Sequence, residues 1–117
     1  MILWIGLGGV FGAIARYSVG SWIGKRAGGS FPWATLFVNV VGSFILGILA
    51  GSAERIPEVM YSILGIGFCG AFTTFSTFGY EAVSLAGNKR YTEALLYVSI
   101  SLILGLAGAW AGLAITT

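Results

Sequence analysis

Trp33-Ala34-Thr35-Leu36-Phe37-Val38-Asn39-Val40-Val41-Gly42-Ser43-Phe44 opens a run that continues without a charged residue to Ala53. A helix crossing the hydrocarbon core needs about 20 largely apolar residues, and this run supplies them in one piece. Pro32 suits the first turn of a helix and Trp33 the headgroup level. The stretch therefore reads as a membrane span, about 32–53.

The charged residues punctuate the rest of the chain into three more spans. The first runs over about 2–23, interrupted only by Arg16, and is followed by a loop holding Lys25, Arg26, Gly28, Gly29 and Ser30. Glu54, Arg55, Pro57 and Glu58 make the next turn, and the third span covers about 59–86 with Glu81 inside it. Gly87, Asn88, Lys89 and Arg90 form the last loop before an uncharged span over about 94–116. The expected fold is an all-α membrane protein, a single transmembrane unit of four helices over 1–117.

Composition agrees. Of 117 residues 57% are apolar and 9% charged, with a mean hydropathy of +0.94. Soluble domains carry about 25% charged residues, so this chain must present its surface to lipid. The net charge of +2 is too small to argue for a nucleic-acid partner. The chain has no His, a single Cys69 and four scattered acids, Glu54, Glu58, Glu81 and Glu93, which speaks against a zinc site, a disulfide and paired-carboxylate catalysis. No nucleophile–base pair is visible, so an enzyme is not expected. The uncharged N-terminal stretch lacks a basic n-region and a small-residue cleavage site, so it reads as a retained helix. Gly6-Leu7-Gly8-Gly9-Val10-Phe11-Gly12 misplaces the third glycine of a dinucleotide fingerprint and has no strand before it.

Nineteen glycines fit helices packed in lipid, where close approach replaces the hydrophobic effect. Gly8 and Gly12, Ser43 with Gly47 and Gly51, and Gly108 with Gly112 recur four apart, each set on one helix face. Loops one and three hold Lys25, Arg26, Lys89 and Arg90, whereas the opposite end holds Arg55 and the terminal amine. That bias favours the first and third loops inside.

Polar groups within the spans mark candidate function. Gly70-Ala71-Phe72-Thr73-Thr74-Phe75-Ser76-Thr77-Phe78-Gly79 places four hydroxyls among three aromatics. Two readings stand: a continuous helix whose hydroxyls bond its own backbone, or a helix broken near the middle of the span, whose freed carbonyls need partners that lipid lacks. Asn39 reads first as an amide joining two helices; the alternative is a donor to a passing anion. Arg16 and Glu81 are intramembrane charges, which line aqueous cavities or pair, though Arg16 could also snorkel to the interface. Tyr97 and Ser101 make a short polar stripe on the fourth span.

Together the segment from Trp33 to Phe44, the string Thr73-Thr74-Phe75-Ser76-Thr77-Phe78 and Gly12-Ala13-Ile14-Ala15-Arg16-Tyr17 resemble the Fluc (CrcB-type) fluoride channel family across all four spans. Ala71 and Ala34 stand where that family commonly has glycine. The resemblance implies a multi-pass protein of the inner cell membrane that exports fluoride passively. It also implies an antiparallel, dual-topology dimer with two pores. The fluoride pathway would comprise Asn39, Phe75, Phe78, Ser76, Thr77, Arg16, Glu81, Tyr97 and Ser101. A structural sodium ion would sit on the backbone carbonyls of Gly70 and Thr73 from both protomers. A homodimer is the expectation, and a pair of distinct, oppositely fixed subunits is the alternative that the loop-charge bias keeps open.

Physically this is coherent. Amide and hydroxyl donors can replace the water of a small anion, and aromatic rims carry the positive edge of the ring quadrupole. A buried cation would hold the ion too well for conduction. One rival is a small multidrug-resistance-type exporter, which needs a carboxylate in its first helix, where this chain offers Arg16. The other is a non-transporting assembly subunit, which leaves Asn39, Phe75 and Phe78 without a role.

Overall fold

A computed structural model describes residues 2–29 and 31–117; Met1 and the loop residue Ser30 lie outside the described residues. The described residues form helices and turns with no strand. Helix α1 spans Ile2–Ala27 and α2 spans Trp33–Gly51. The third segment begins as α3 (Glu58–Tyr61), widens into a π-helical stretch (Ser62–Cys69) and ends in α4 (Gly70–Phe72). Thr73 and Thr74 are extended, and α5 (Phe75–Gly87) follows. Helix α6 spans Tyr91–Thr116. Four segments, Ile2–Ala27, Trp33–Gly51, Glu58–Gly87 and Tyr91–Thr116, are long and apolar enough to cross a membrane. The molecule measures 47 Å along its longest axis, close to the roughly 40–45 Å of a bilayer with its headgroups.

Helix ends differ from the span limits for electrostatic reasons. Helix α1 continues past Ile23 through Lys25 and Arg26, because cations in a last turn offset the negative end of the helix dipole. The Arg26 guanidinium lies 4.3 Å from the centroid of the Trp22 ring and donates to the Trp22 carbonyl. Gly28 (φ 62) and Gly29 (φ 72) then turn the chain through left-handed conformations. Helix α6 starts at Tyr91, three residues before Ala94, and thereby brings Glu93 into its first turn. At the other end α2 stops at Gly51, short of Ala53. There Arg55 donates to the carbonyls of both Gly51 and Thr116, capping two helix C-termini with one side chain.

Glycine sets the packing. A Cβ on Gly8 would lie 2.0 Å from the Ile63 carbonyl oxygen, and one on Gly12 would lie 2.3 Å from that of Phe68. Reciprocally, a Cβ on Gly67 would meet the Ile5 carbonyl oxygen at 2.4 Å. Helix α1 therefore rests on the π-helical stretch backbone to backbone. Helices α2 and α6 make the second tight pair: Gly47 faces the Ala109 carbonyl and Gly112 that of Phe44, at 2.2 and 2.3 Å for an added Cβ. All three glycine faces read from the four-residue spacing lie in helix contacts. A small core of Leu36, Leu85 and Tyr97, ringed by Phe31, Val40 and Phe78, closes the end near loops one and three. Leu3, Val10, Ile14, Ile103 and Leu106 are exposed, as expected of helix faces that meet lipid.

Candidate functional site

The site grows from the two extended residues. In a continuous helix the Thr74 N–H would donate to the Gly70 carbonyl, and the Thr77 N–H to that of Thr73. Here the Thr74 N–H donates instead to Asn39 Oδ1 at 2.8 Å, and Asn39 Nδ2 returns a bond to the Thr74 carbonyl at 3.2 Å. The Thr77 N–H turns to Thr74 Oγ1 at 3.2 Å, so Thr74 caps α5. Upstream, the Cys69 carbonyl accepts from both the N–H and the hydroxyl of Thr73. The carbonyls of Gly70 and Thr73 have thus given up their helical donors to side chains.

Asn39 therefore clamps the third segment to α2 through both halves of its amide. An amide NH₂ carries two hydrogens, and the clamp uses one, so the second can serve another acceptor. Gly42, one turn along α2, permits the close approach, since a Cβ there would stand 2.1 Å from Thr73 Cγ2. Asn39 joins two segments, as its first reading had it; its partner Thr74 and the role of Gly42 were not legible from spacing. Their signal is that Thr35, Asn39 and Ser43 share one face of α2 with Gly42 beside them.

Two cavities meet at the clamp, and Thr74 lines both. One, of about 460 Å³, is bordered by Asn39, Ser43, Gly70, Thr73 and Phe75. The other, of about 390 Å³, is bordered by Arg16, Tyr17, Thr35, Thr74 and Thr77. Arg16 is half-buried. Its Nε is buried with no hydrogen-bond partner among the described residues, on the wall of a cavity otherwise furnished with hydroxyls.

Phe75 is 84% exposed, and its ring centroid lies 6.1 Å from that of Phe78 at 40°. Phe78 is half-buried against Tyr97, with ring centroids 5.1 Å apart. Ser76 is exposed at the start of α5. Tyr97 is fully buried at 0% exposure and donates its hydroxyl to Glu81 Oε1 at 3.2 Å. Glu81 lines a third cavity, of about 350 Å³, with Tyr80, Ser84 and Asn88. Arg16 and Glu81 thus occupy separate cavities. Ser101 is half-buried one turn from Tyr97, its Oγ buried without a partner among the described residues. Thr35, to which spacing gave no role, lines the Arg16 cavity.

A chain of neutral donors thus flanks the clamp on both sides, with one guanidinium on one side. Such an arrangement can pass a small anion from donor to donor. Comparison with known proteins agrees with this chemistry. Residues 3–113 match the family described as CrcB-like protein, Camphor Resistance (CrcB). The fluoride-specific ion channel FluC 2 of Clostridium acetobutylicum is 44% identical over 108 residues, covering 92% of this chain and 91% of that protein. FluC 2 of Moorella thermoacetica is 44% identical over 111 residues, covering 94% and 91%. The fluoride-specific ion channel FluC of Acidobacterium capsulatum is 42% identical over 117 residues, covering 97% and 93%.

Proposed function

Because this chain belongs to the CrcB-like family, we propose that it is a fluoride channel, a multi-pass membrane protein through which fluoride leaves the cell down its own gradient. It is a channel and not an enzyme. The observation that carries the reading is the Asn39–Thr74 clamp, set between two cavities with Phe75 and Phe78 beside it. Fluoride gives up tightly held water only to donors placed close together. Hydroxyls of Thr77 and Ser76, the spare N–H of Asn39 and the ring rims of Phe75 and Phe78 are such donors.

Arg16 draws anions into the cavity it lines, and the Asn39 cavity beyond it has no basic residue in its lining. Attraction at the mouth with neutral groups further in lets the ion enter and leave. Glu81, Tyr97 and Ser101 continue the path toward the loop end. We read Thr73–Thr74 as a break in the third span. The diverted donors support a sodium ion there, because hard cations take oxygen ligands and the carbonyls of Gly70 and Thr73 have lost theirs. Sodium at that point supplies fixed positive charge to opposed carbonyl dipoles.

The functional unit we propose is an antiparallel dimer of two copies, one inserted each way. The exposed Phe75 and the open groove beside Gly70 support a partner on that face. The basic excess at loops one and three speaks for a fixed orientation, so mapping the termini in intact membranes decides between a second copy and a distinct subunit.

Purified protein in liposomes loaded with potassium fluoride should release fluoride without a proton gradient and retain chloride. Chloride release at a similar rate, or no flux, would overturn the channel. Phe78→Ile is expected to cut fluoride efflux roughly two- to twelve-fold, since an aromatic rim contributes roughly 0.5–1.5 kcal/mol beyond its area. Size-exclusion chromatography should show the assembly intact.

A further inference from the structure

Two tightly joined pairs of segments make up the molecule. Helix α1 is seated on the π-helical stretch through Gly8, Gly12 and Gly67, and α2 on α6 through Gly47 and Gly112, each backbone to backbone. Neither pair can slide far without driving atoms into a carbonyl. Gly42 lies where α2 of the second pair meets the third segment of the first. A Cβ there would stand 2.1 Å from Thr73 Cγ2, whereas the next atom, Phe72 Cδ2, is 3.5 Å away. The tight contact is therefore with one methyl group, on the residue that precedes Thr74 of the clamp.

That methyl is not free to turn aside. Thr73 Oγ1 donates to the Cys69 carbonyl at 2.8 Å, and a rotation that removed the methyl would carry the hydroxyl off that carbonyl too, since both sit on one Cβ. Carbon atoms pack at about 3.5–4.0 Å, so a Cβ on Gly42 would push Thr73 back by roughly 1.5 Å. Thr74 follows through one peptide bond. Its bonds to Asn39 stand at 2.8 and 3.2 Å, the second already at the far end of the usual N–H···O range. Neither survives such a retreat.

We propose that Gly42 is a positioning residue for the fluoride path: its lack of a Cβ seats the Thr73 methyl, and that contact sets the depth at which Asn39 grips Thr74. This role rests on the fluoride reading for its transport consequence. While both clamp bonds hold, one hydrogen of the Asn39 amide is committed and the other keeps a fixed direction. Once they break, the amide turns about a soft terminal torsion, and the spare N–H no longer waits for the ion in one place. Gly42 has no side chain to offer an ion and acts through Thr73.

Gly42→Ala tests this beside Gly42→Ala/Thr73→Ser, because Thr73→Ser keeps the hydroxyl for Cys69 and removes only the methyl. Parent, both single variants and the double variant are compared by two readouts. One is fluoride efflux from liposomes; the other is exchange of the Thr74 amide hydrogen by NMR in detergent, which reports the clamp whether or not the chain conducts. A net hydrogen bond is worth roughly five-fold, and two are involved, so Gly42→Ala should slow efflux and speed exchange by about 25-fold. Added to Thr73→Ser, the same substitution should change either readout by less than about three-fold, the non-additivity of residues in contact. Gly47→Ala, whose Cβ would meet the Ala109 carbonyl oxygen at 2.2 Å, is a packing fault elsewhere and should gain nothing from Thr73→Ser. If Gly42→Ala alone is not monodisperse, the double variant should be. Parental values for Gly42→Ala in either readout of a conducting parent, an equal penalty with and without Thr73→Ser, or a double variant that does not fold would overturn the proposal. A parent that releases no fluoride would overturn the channel instead, and the exchange comparison would still decide whether Gly42 sets the clamp.

Discussion

Asn39→Asp is expected to reduce fluoride efflux by about a thousand-fold. Two effects act together. A carboxylate keeps the acceptor for the Thr74 N–H but has no hydrogen for the Thr74 carbonyl, so oxygen faces oxygen where a 3.2 Å hydrogen bond stood. The new charge also sits beside the proposed path. Two like unit charges 4 Å apart at an effective dielectric of 20 repel by about 4 kcal/mol, about three orders of magnitude in rate. Burial of this part of the molecule keeps solvent from screening the repulsion fully. Fluoride-electrode traces from liposomes report the rate, and size-exclusion chromatography reports the assembly. Efflux within ten-fold of the parent would remove Asn39 from the pathway and leave it a purely structural clamp. Asn39→Ala separates the two roles. It introduces no charge, but leaves the Thr74 N–H and carbonyl unsatisfied, a loss of about 1–3 kcal/mol for each buried group, read as a lower melting temperature.

Gly12→Ala is expected to separate α1 from the third segment. Its Cβ would stand 2.3 Å from the Phe68 carbonyl oxygen and 3.0 Å from the carbonyl carbon, and both belong to backbone, which cannot rotate aside as a side chain could. Overpacking of this kind costs about 1–3 kcal/mol and occasionally more, and Gly8→Ala should be worse, with a contact of 2.0 Å. The control lies in the same helix. Gly6 and Gly20 have nothing within 4 Å of an added Cβ. Gly6→Ala and Gly20→Ala should be neutral or stabilising, by up to about 1 kcal/mol from helix propensity alone. Melting in detergent, followed by the monodisperse fraction after heating, distinguishes the two pairs. Equal melting temperatures for Gly12→Ala and Gly20→Ala would show that the α1 contact carries no weight.

Four helical segments of membrane-crossing length follow from the chain alone, because an uncharged run of some 20 residues has few structures open to it in lipid. The glycine faces were equally legible, since residues four apart share a helix face whatever lies opposite. So was the concentration of hydroxyls and rings from Thr73 to Phe78. What those hydroxyls do was not. Sequence left a continuous and an interrupted third span equally open, because a threonine can bond its own helix or release it. The groups that decide it include Asn39, 35 residues away, whose amide bonds to the Thr74 N–H and carbonyl. Arg16 shows the same limit: local pattern allowed it to snorkel or to line a cavity, and only the packing of α1 against α2 and the third segment sets it on a cavity wall with Thr35, Thr74 and Thr77. Local periodicity decides which residues form helices and which faces can touch. Which polar group meets which is a property of chains brought together across a distance, and only the tertiary structure decides it.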